Sequence, residues 1–181
     1  MIMKGILIAL TILILLISGC TQTQQSQATS KDTFVMKLTS PAFGNNGDIP
    51  SKYTCDGEDI NPPLKIEGVP KNAKNLVLII DDPDAPAGVW VHGVAFNIDP
   101  ETTSIEERSG PKSGVAGKNS WGKNSYGGPC PPSGIHRYFF KLYALDKKLD
   151  LDGSATKAEV EKAMEGHIIE KAEFVGKYSR R

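Results

Sequence analysis

Apolar and polar positions follow three different patterns along the chain. From Gly5 to Ile17 the residues are almost continuously apolar, with Lys4 just before them. From Thr21 to Ser30 (TQTQQSQATS) no apolar period exists. From about Thr33 onward, short apolar runs alternate with turn residues. Phe34 to Ser40 reads as a strand ended by Pro41, and Gly44 to Pro63 is punctuated by Gly and Pro as loops and short segments are. Leu76-Val77-Leu78-Ile79-Ile80 is an unbroken apolar run of strand length, which predicts a strand covered on both faces. Val89 to Ile98 predicts a second strand, interrupted by Gly93, and Ile135 to Ala144 a third. Between them, residues 100–128 are polar and glycine-rich. Thr156 to Ala172 predicts the single helix: Thr156 and Glu159 form a capping box, and Val160, Ala163, Met164, His167 and Ile168 recur at helical spacing. Phe174 to Tyr178 is expected to close the sheet. The fold class expected is therefore mainly β, with a C-terminal helix.

The first pattern has the shape of a leader. A positive residue followed by an apolar stretch too short for the roughly 20 residues of a membrane-spanning helix is a secretory signal. It ends in Leu16-Ile17-Ser18-Gly19-Cys20, which resembles a lipobox, so residues 1–19 are expected to be cleaved. Cys20 is then expected to carry the lipid (palmitate or a related acyl chain). Residues 20–32 cannot bury enough surface to offset the entropy of ordering them and read as a tether. Residues 33–181 are of single-domain size. The expected location is extracytoplasmic, lipid-anchored to the cell membrane.

Charge narrows the partners. The 21 Lys and Arg balance the 21 Asp and Glu, and no basic block precedes Arg180-Arg181. Nucleic acid is therefore not an expected partner, because backbone binding needs a clustered positive footprint. Beyond Cys20, only Cys55 and Cys130 remain. An oxidising compartment permits a disulfide between them, and two separate buried thiols are the alternative.

Polar groups concentrate at strand ends. Asp82 and Asp84 in Asp81-Asp82-Pro83-Asp84-Ala85-Pro86 lie two apart, on one side of an extended chain stiffened by prolines. His92 lies inside the apolar strand Trp90-Val91-His92-Gly93-Val94, as a packed core histidine or as a ligand. Tyr126-Gly127-Gly128-Pro129-Cys130-Pro131-Pro132 leads through Gly134-Ile135 into His136-Arg137-Tyr138. Alternation puts His136, Tyr138 and Phe140 on one face and Arg137 and Phe139 on the other. The glycines allow exposed N–H groups to form an anion-binding nest.

Together with Tyr53-Thr54-Cys55-Asp56-Gly57 and Asn61-Pro62-Pro63-Leu64, these segments resemble the phosphatidylethanolamine-binding protein family, in its prokaryotic branch related to Raf kinase inhibitor protein. The resemblance implies an antiparallel β fold with a small pocket lined by Asp82, Asp84, His92, His136 and Tyr138, beside the Gly127-Gly128-Pro129 loop. It implies a phosphate- or carboxylate-containing ligand, or a phospholipid headgroup, and no cofactor. Gly93 stands where relatives carry a bulky aromatic, which would widen the pocket wall or loosen strand packing. The function expected is non-enzymatic binding of an anionic group. An inhibitor or regulator of a protease or kinase, acting on a protein partner, is the alternative. Ser120, Ser125 and Ser133 lie near the histidines in sequence, but Gly117-x-x-Ser120-x-Gly122 is one residue too long for a hydrolase elbow. His92, His136 and Asp82 could in principle ligate a metal, though without dedicated metal spacing, so neither a hydrolase nor a metal enzyme is expected.

The leader gives the first prediction. Changing Cys20→Ser should release the protein from membranes or stall its processing. A variant that fractionates and migrates like the unmodified protein would refute the anchor.

Overall fold

The computed structural model describes residues 35–180. The leader, Cys20 and the tether lie outside the described residues. Two sheets pack face to face. A three-stranded sheet runs in the order β1 (Lys37–Thr39), β3 (Leu64–Glu67), β6 (Ser104–Ile105). A six-stranded sheet runs β2 (Gly47–Asp48), β9 (Ile168–Tyr178), β8 (His136–Leu145), β4 (Asn75–Asp82), β5 (Trp90–Ile98), β7 (Val115–Ala116). Pairing is antiparallel except at the edge, where β2 runs parallel to β9.

β4 is buried along its whole length, as its continuous apolar run predicts for a strand covered on both faces. One face, with Leu76, Leu78 and Ile80, joins Tyr138, Phe140, Leu142 and the small sheet's Leu38, Leu64 and Ile66 in the inter-sheet core. The other face, with Val77 and Ile79, packs with Val94, Phe96, Val160 and Met164 under the helix. The middle of the large sheet thus divides two cores. Beyond Ile80 the same alternation continues in polar form. Asp81, fully buried on the helix side, lies 2.8 Å from Lys141 Nζ and 2.7 Å from Lys157 Nζ, while Asp82 turns toward the opposite face.

The helix expected over Thr156 to Ala172 is shorter than predicted. α1 spans Lys157–Met164, and its capping box is present with Thr156 as N-cap and Glu159 closing it. At Glu165 the backbone becomes extended, and Gly166 adopts a left-handed φ of 75°, a conformation that glycine accepts without steric cost. From Ile168 the chain is strand β9, paired with β8 from Leu145 back to His136. A ten-residue strand edge offers more backbone hydrogen bonds than about two further helical turns, and Ala172 and Phe174 alternate into the inter-sheet core. Ile168, counted with the helical stripe, is exposed. The apolar spacing of 3 and 4 at its end was a coincidence of a strand following a helix.

Residues 100–128 contain β6 and β7, two residues each, with irregular backbone around them. Cys55 and Cys130 form a disulfide, with Cα atoms 5.4 Å apart and 75 residues between them in sequence. It fastens the loop before β8 to the turn that follows a short 3-10 helix at Ser51–Tyr53. The Cys55 N–H also donates to the Pro129 carbonyl. Closing a loop of this length constrains the unfolded chain by about 4 kcal/mol in the chain-entropy account. Among the described residues, no helix is long and apolar enough to cross a membrane.

Candidate functional site

The C-terminal end of β4 and the N-terminal ends of β5 and β8 meet on one rim of the large sheet. β8 delivers His136 and Tyr138 two residues apart, both buried and on the inter-sheet face. β4 delivers Asp82, whose Oδ2 lies 2.7 Å from His136 Nδ1. Its other oxygen, Oδ1, accepts the Asp84 N–H at 2.8 Å, so one carboxylate both shapes the proline turn and holds the imidazole.

His92 reaches the same face through an irregularity in β5. Ile80 pairs with Gly93 and Asp81 pairs with Val91, leaving His92 as an extra residue, a β-bulge. Val91 and Val94 both pack into the core under the helix, three residues apart where strict alternation would separate them by an even number. The bulge absorbs the difference and turns His92 to the inter-sheet side. There its ring sits edge-on to Tyr138, 5.1 Å between centroids, and edge-on to Trp121 at 5.3 Å. Its Nδ1 donates to the Gly127 carbonyl at 2.6 Å. Burial lowers the His92 pKa below its ordinary value, against the opposing pull of the Gly127 carbonyl and the Asp82 charge.

Tyr138 is the third donor. Its hydroxyl is buried without a hydrogen-bond partner, and burial, reinforced by the Asp82 and Asp84 charges, raises its pKa and keeps it protonated. Trp90 Nε1 is likewise buried and unpartnered, with its ring against Trp121. These two indoles form an aromatic wall beside His92.

Two sequence expectations change here. Asp84 is engaged by Arg137. Its carboxylate accepts from Arg137 Nε at 2.8 Å, Nη2 at 2.6 Å and the Arg137 backbone N–H at 2.9 Å. It clamps the proline turn to the start of β8. The Gly127-Gly128-Pro129 loop is not an open nest either. The Gly127 N–H donates to the His92 carbonyl and the Gly128 N–H to Asp59 Oδ1, and Pro129 has no N–H. The glycines are required by packing instead. A Cβ on Gly127 would stand 2.5 Å from Trp121 Cζ3, and one on Gly128 2.7 Å from the Tyr53 carbonyl oxygen. Asp59, with a left-handed φ of 53°, and Trp121 escaped the sequence reading, because each acts through a loop contact that no local period encodes. Gly93 lines a separate cavity.

Residues 39–179 match the family model for phosphatidylethanolamine-binding protein. A UPF0098 protein of Methanothermobacter thermautotrophicus is 55% identical, covering 80% of this chain and 99% of its own length. A UPF0098 protein of Pyrococcus horikoshii is 47% identical over 99% of this chain and 92% of its own. Among solved structures, a phosphatidylethanolamine-binding protein homolog from Chlamydia trachomatis superposes with a TM-score of 0.79 at 42% identity, covering 82% of this chain and 99% of that one. YbcL of E. coli, described as a member of the mammalian PEBP family, gives 0.75 at 28% identity, covering 81% and 99%.

The Asp84 clamp makes an acid-range prediction. Arg137, by hydrogen bonding, lowers the Asp84 pKa from 3.8 to about 2. A depressed carboxyl contributes stability that is complete above its unfolded value and fades as pH falls toward its folded one. Asp84→Asn should therefore destabilise by about 1 kcal/mol above pH 4, a modest figure because Arg137 is half exposed and screened. The difference from the unmodified protein should shrink between pH 3.8 and 2. Denaturation midpoints across that range check it, and a difference independent of pH would remove the ion pair as its cause.

Proposed function

Because the chain belongs to the phosphatidylethanolamine-binding protein family, we propose that it binds the phosphate or carboxylate group of a ligand at His92, His136 and Tyr138, without transforming it. The observation that carries this reading is the Tyr138 hydroxyl, buried and unpartnered, on a ring that meets His92 edge-on, with His136 two residues away on the same face. Leaving a buried donor unpaired costs about 1–3 kcal/mol, and native structures keep such groups mainly for a reason. An anion oxygen supplies the missing acceptor.

The imidazoles specify how the anion is held. A carbonyl and a carboxylate can only accept, so Nδ1 of each ring carries a hydrogen, and Nε2 is the free nitrogen. In the neutral ring Nε2 presents a lone pair, which repels an anion. In the protonated ring it becomes an N–H donor bearing charge. Binding therefore draws a proton onto the site, and Asp82 steadies the resulting imidazolium of His136.

The ligand's anionic end is what these groups read. Asp82 is engaged by His136 and Asp84 by Arg137, so neither carboxylate is left to receive an ammonium group. Val89, Trp121 and Ile135 are exposed apolar side chains. Two of them directly precede Trp90 and His136 in the chain, and the third meets His92 edge-on. They suit a headgroup presented from a lipid surface. With the leader and Cys20, this favours an extracytoplasmic, lipid-anchored binding protein. A catalytic role finds less support. Among the described residues no serine hydroxyl hydrogen-bonds a histidine, and no set of three His, Cys, Asp or Glu side chains is arranged to hold a metal ion.

Sulfate is a suitable probe, since its charge is constant between pH 5 and 8. Its affinity should rise as pH falls from 7.5 to 5.5, because His92 titrates below its ordinary value of 6.5. Tyr138→Phe should weaken binding roughly tenfold, the worth of one hydrogen bond to a charged group. The same change should leave the unliganded protein as stable or up to about 1 kcal/mol more stable, since an unpaired hydroxyl is removed. Titration calorimetry and chemical denaturation measure both. A variant that loses stability yet binds sulfate normally would show that Tyr138 serves packing and not the anion.

A further inference from the structure

A second recess opens between the two sheets, apart from the histidine site. Its volume is about 420 Å³. The floor is apolar, built from Leu64 of β3, Leu78 and Ile80 of β4, Ile105 of β6 and Phe140 of β8. Gly93 and Ala95 of β5 form one wall, and Arg108 to Pro111 with Asn124 to Tyr126 form the mouth. None of Asp82, His92, His136 or Tyr138 lines it.

Gly93 is what leaves this space open. A glycine inside a strand weakens it and calls for a reason, such as a tight bend or the close approach of a ligand. Here its φ lies outside the left-handed region, so the backbone does not require glycine. Packing does not require it either. An added Cβ would meet Ile80 Cδ1 at 3.6 Å and Tyr126 Cα at 4.0 Å, both ordinary contacts. This sets Gly93 apart from Gly127 and Gly128, where a Cβ collides with a neighbour. The missing side chain is volume, and the volume belongs to the recess.

The polar groups at the mouth are already paired. Tyr126 donates to the Tyr53 carbonyl. Asn61 joins the Glu106 carbonyl to the Gly110 N–H. Asn124 joins the Ala116 carbonyl to Lys118, and Arg108 pairs with Glu58. Asp59 accepts the Gly128 N–H. Hydrogen bonds and the Arg108–Glu58 pair thus engage the polar groups at the rim, while Leu64, Leu78, Ile80, Ile105 and Phe140 line the floor.

We propose that this recess is a binding site for a compact, neutral, apolar molecule, about the size of a fused bicyclic ring, admitted by the absence of a side chain at Gly93. An engineered cavity of roughly 150 Å³ holds one benzene, and the space here is nearly three times larger and within the range of small-molecule sites. Leu78, Ile80 and Phe140 are already buried by the protein itself, so a ligand gains by filling the recess and making the contacts its lining lacks, which needs no charge.

The test uses 2-naphthol with the full chain, followed by fluorescence or calorimetry. Saturable one-to-one binding is expected, weakened at least tenfold in Gly93→Leu, whose side chain would fill the recess. Ala95→Leu should act the same way and guards against a folding defect in the first variant; thermal unfolding identifies which variants are folded. Sulfate titration of the same samples reports the histidine site separately. Absence of saturable 2-naphthol binding by the unmodified chain would overturn the proposal. So would a folded Gly93→Leu or Ala95→Leu variant that binds 2-naphthol as tightly as the unmodified chain.

Discussion

Strand β5 has one more residue than β4 between the Ile80–Gly93 and Asp81–Val91 pairs, and that residue is His92. In a regular strand, side chains alternate without exception, and His92 would share the face of Val94 and Phe96 in the core under the helix. With the bulge, it joins Tyr138 and His136 on the opposite face. The anion site receives its second imidazole from this register change. The disulfide, the Asp84–Arg137 clamp and the packed Gly127-Gly128 turn hold the surrounding loops against the bulged strand.

The arrangement separates positioning from recognition. Asp82, Gly127 and Asp84 are engaged inside the protein and fix where the rings and the turn lie. What remains unengaged among the groups proposed to hold the anion is the Tyr138 hydroxyl and Nε2 of each imidazole. A site preorganised in this way offers one donor to an anion without change and two more only after protonation. Burial disfavours protonation of His92 in the empty site, and a bound anion reverses that preference through its charge. Ligand and proton should therefore enter together.

Much of the fold was legible because burial wrote it into the sequence. The unbroken run at Leu76 to Ile80 gave β4, and the alternation at Ile135 to Ala144 gave β8. The capping box at Thr156 gave the start of α1. Its end was misread because Val160, Met164 and Ile168 keep helical spacing across a turn at Gly166, and only pairing with β8 shows where the strand begins. The pairing of Asp82 with His136 connects segments 54 residues apart, and the motifs pointed to both partners without showing the bond. The bulge was invisible, since it is a relation between two strands. So was the use of the loop amides, because their acceptors, the His92 carbonyl and Asp59, lie in other segments.

The central claim is that an anion binds here by bringing a proton with it. Calorimetric titration of sulfate into the protein at pH 7, repeated in buffers of different ionisation enthalpy, counts that proton directly. Net proton uptake is expected, at most about one proton for each of the two histidines per sulfate bound, with its loss in a His92→Ala, His136→Ala double variant. Sulfate binding with the same heat in every buffer would contradict it.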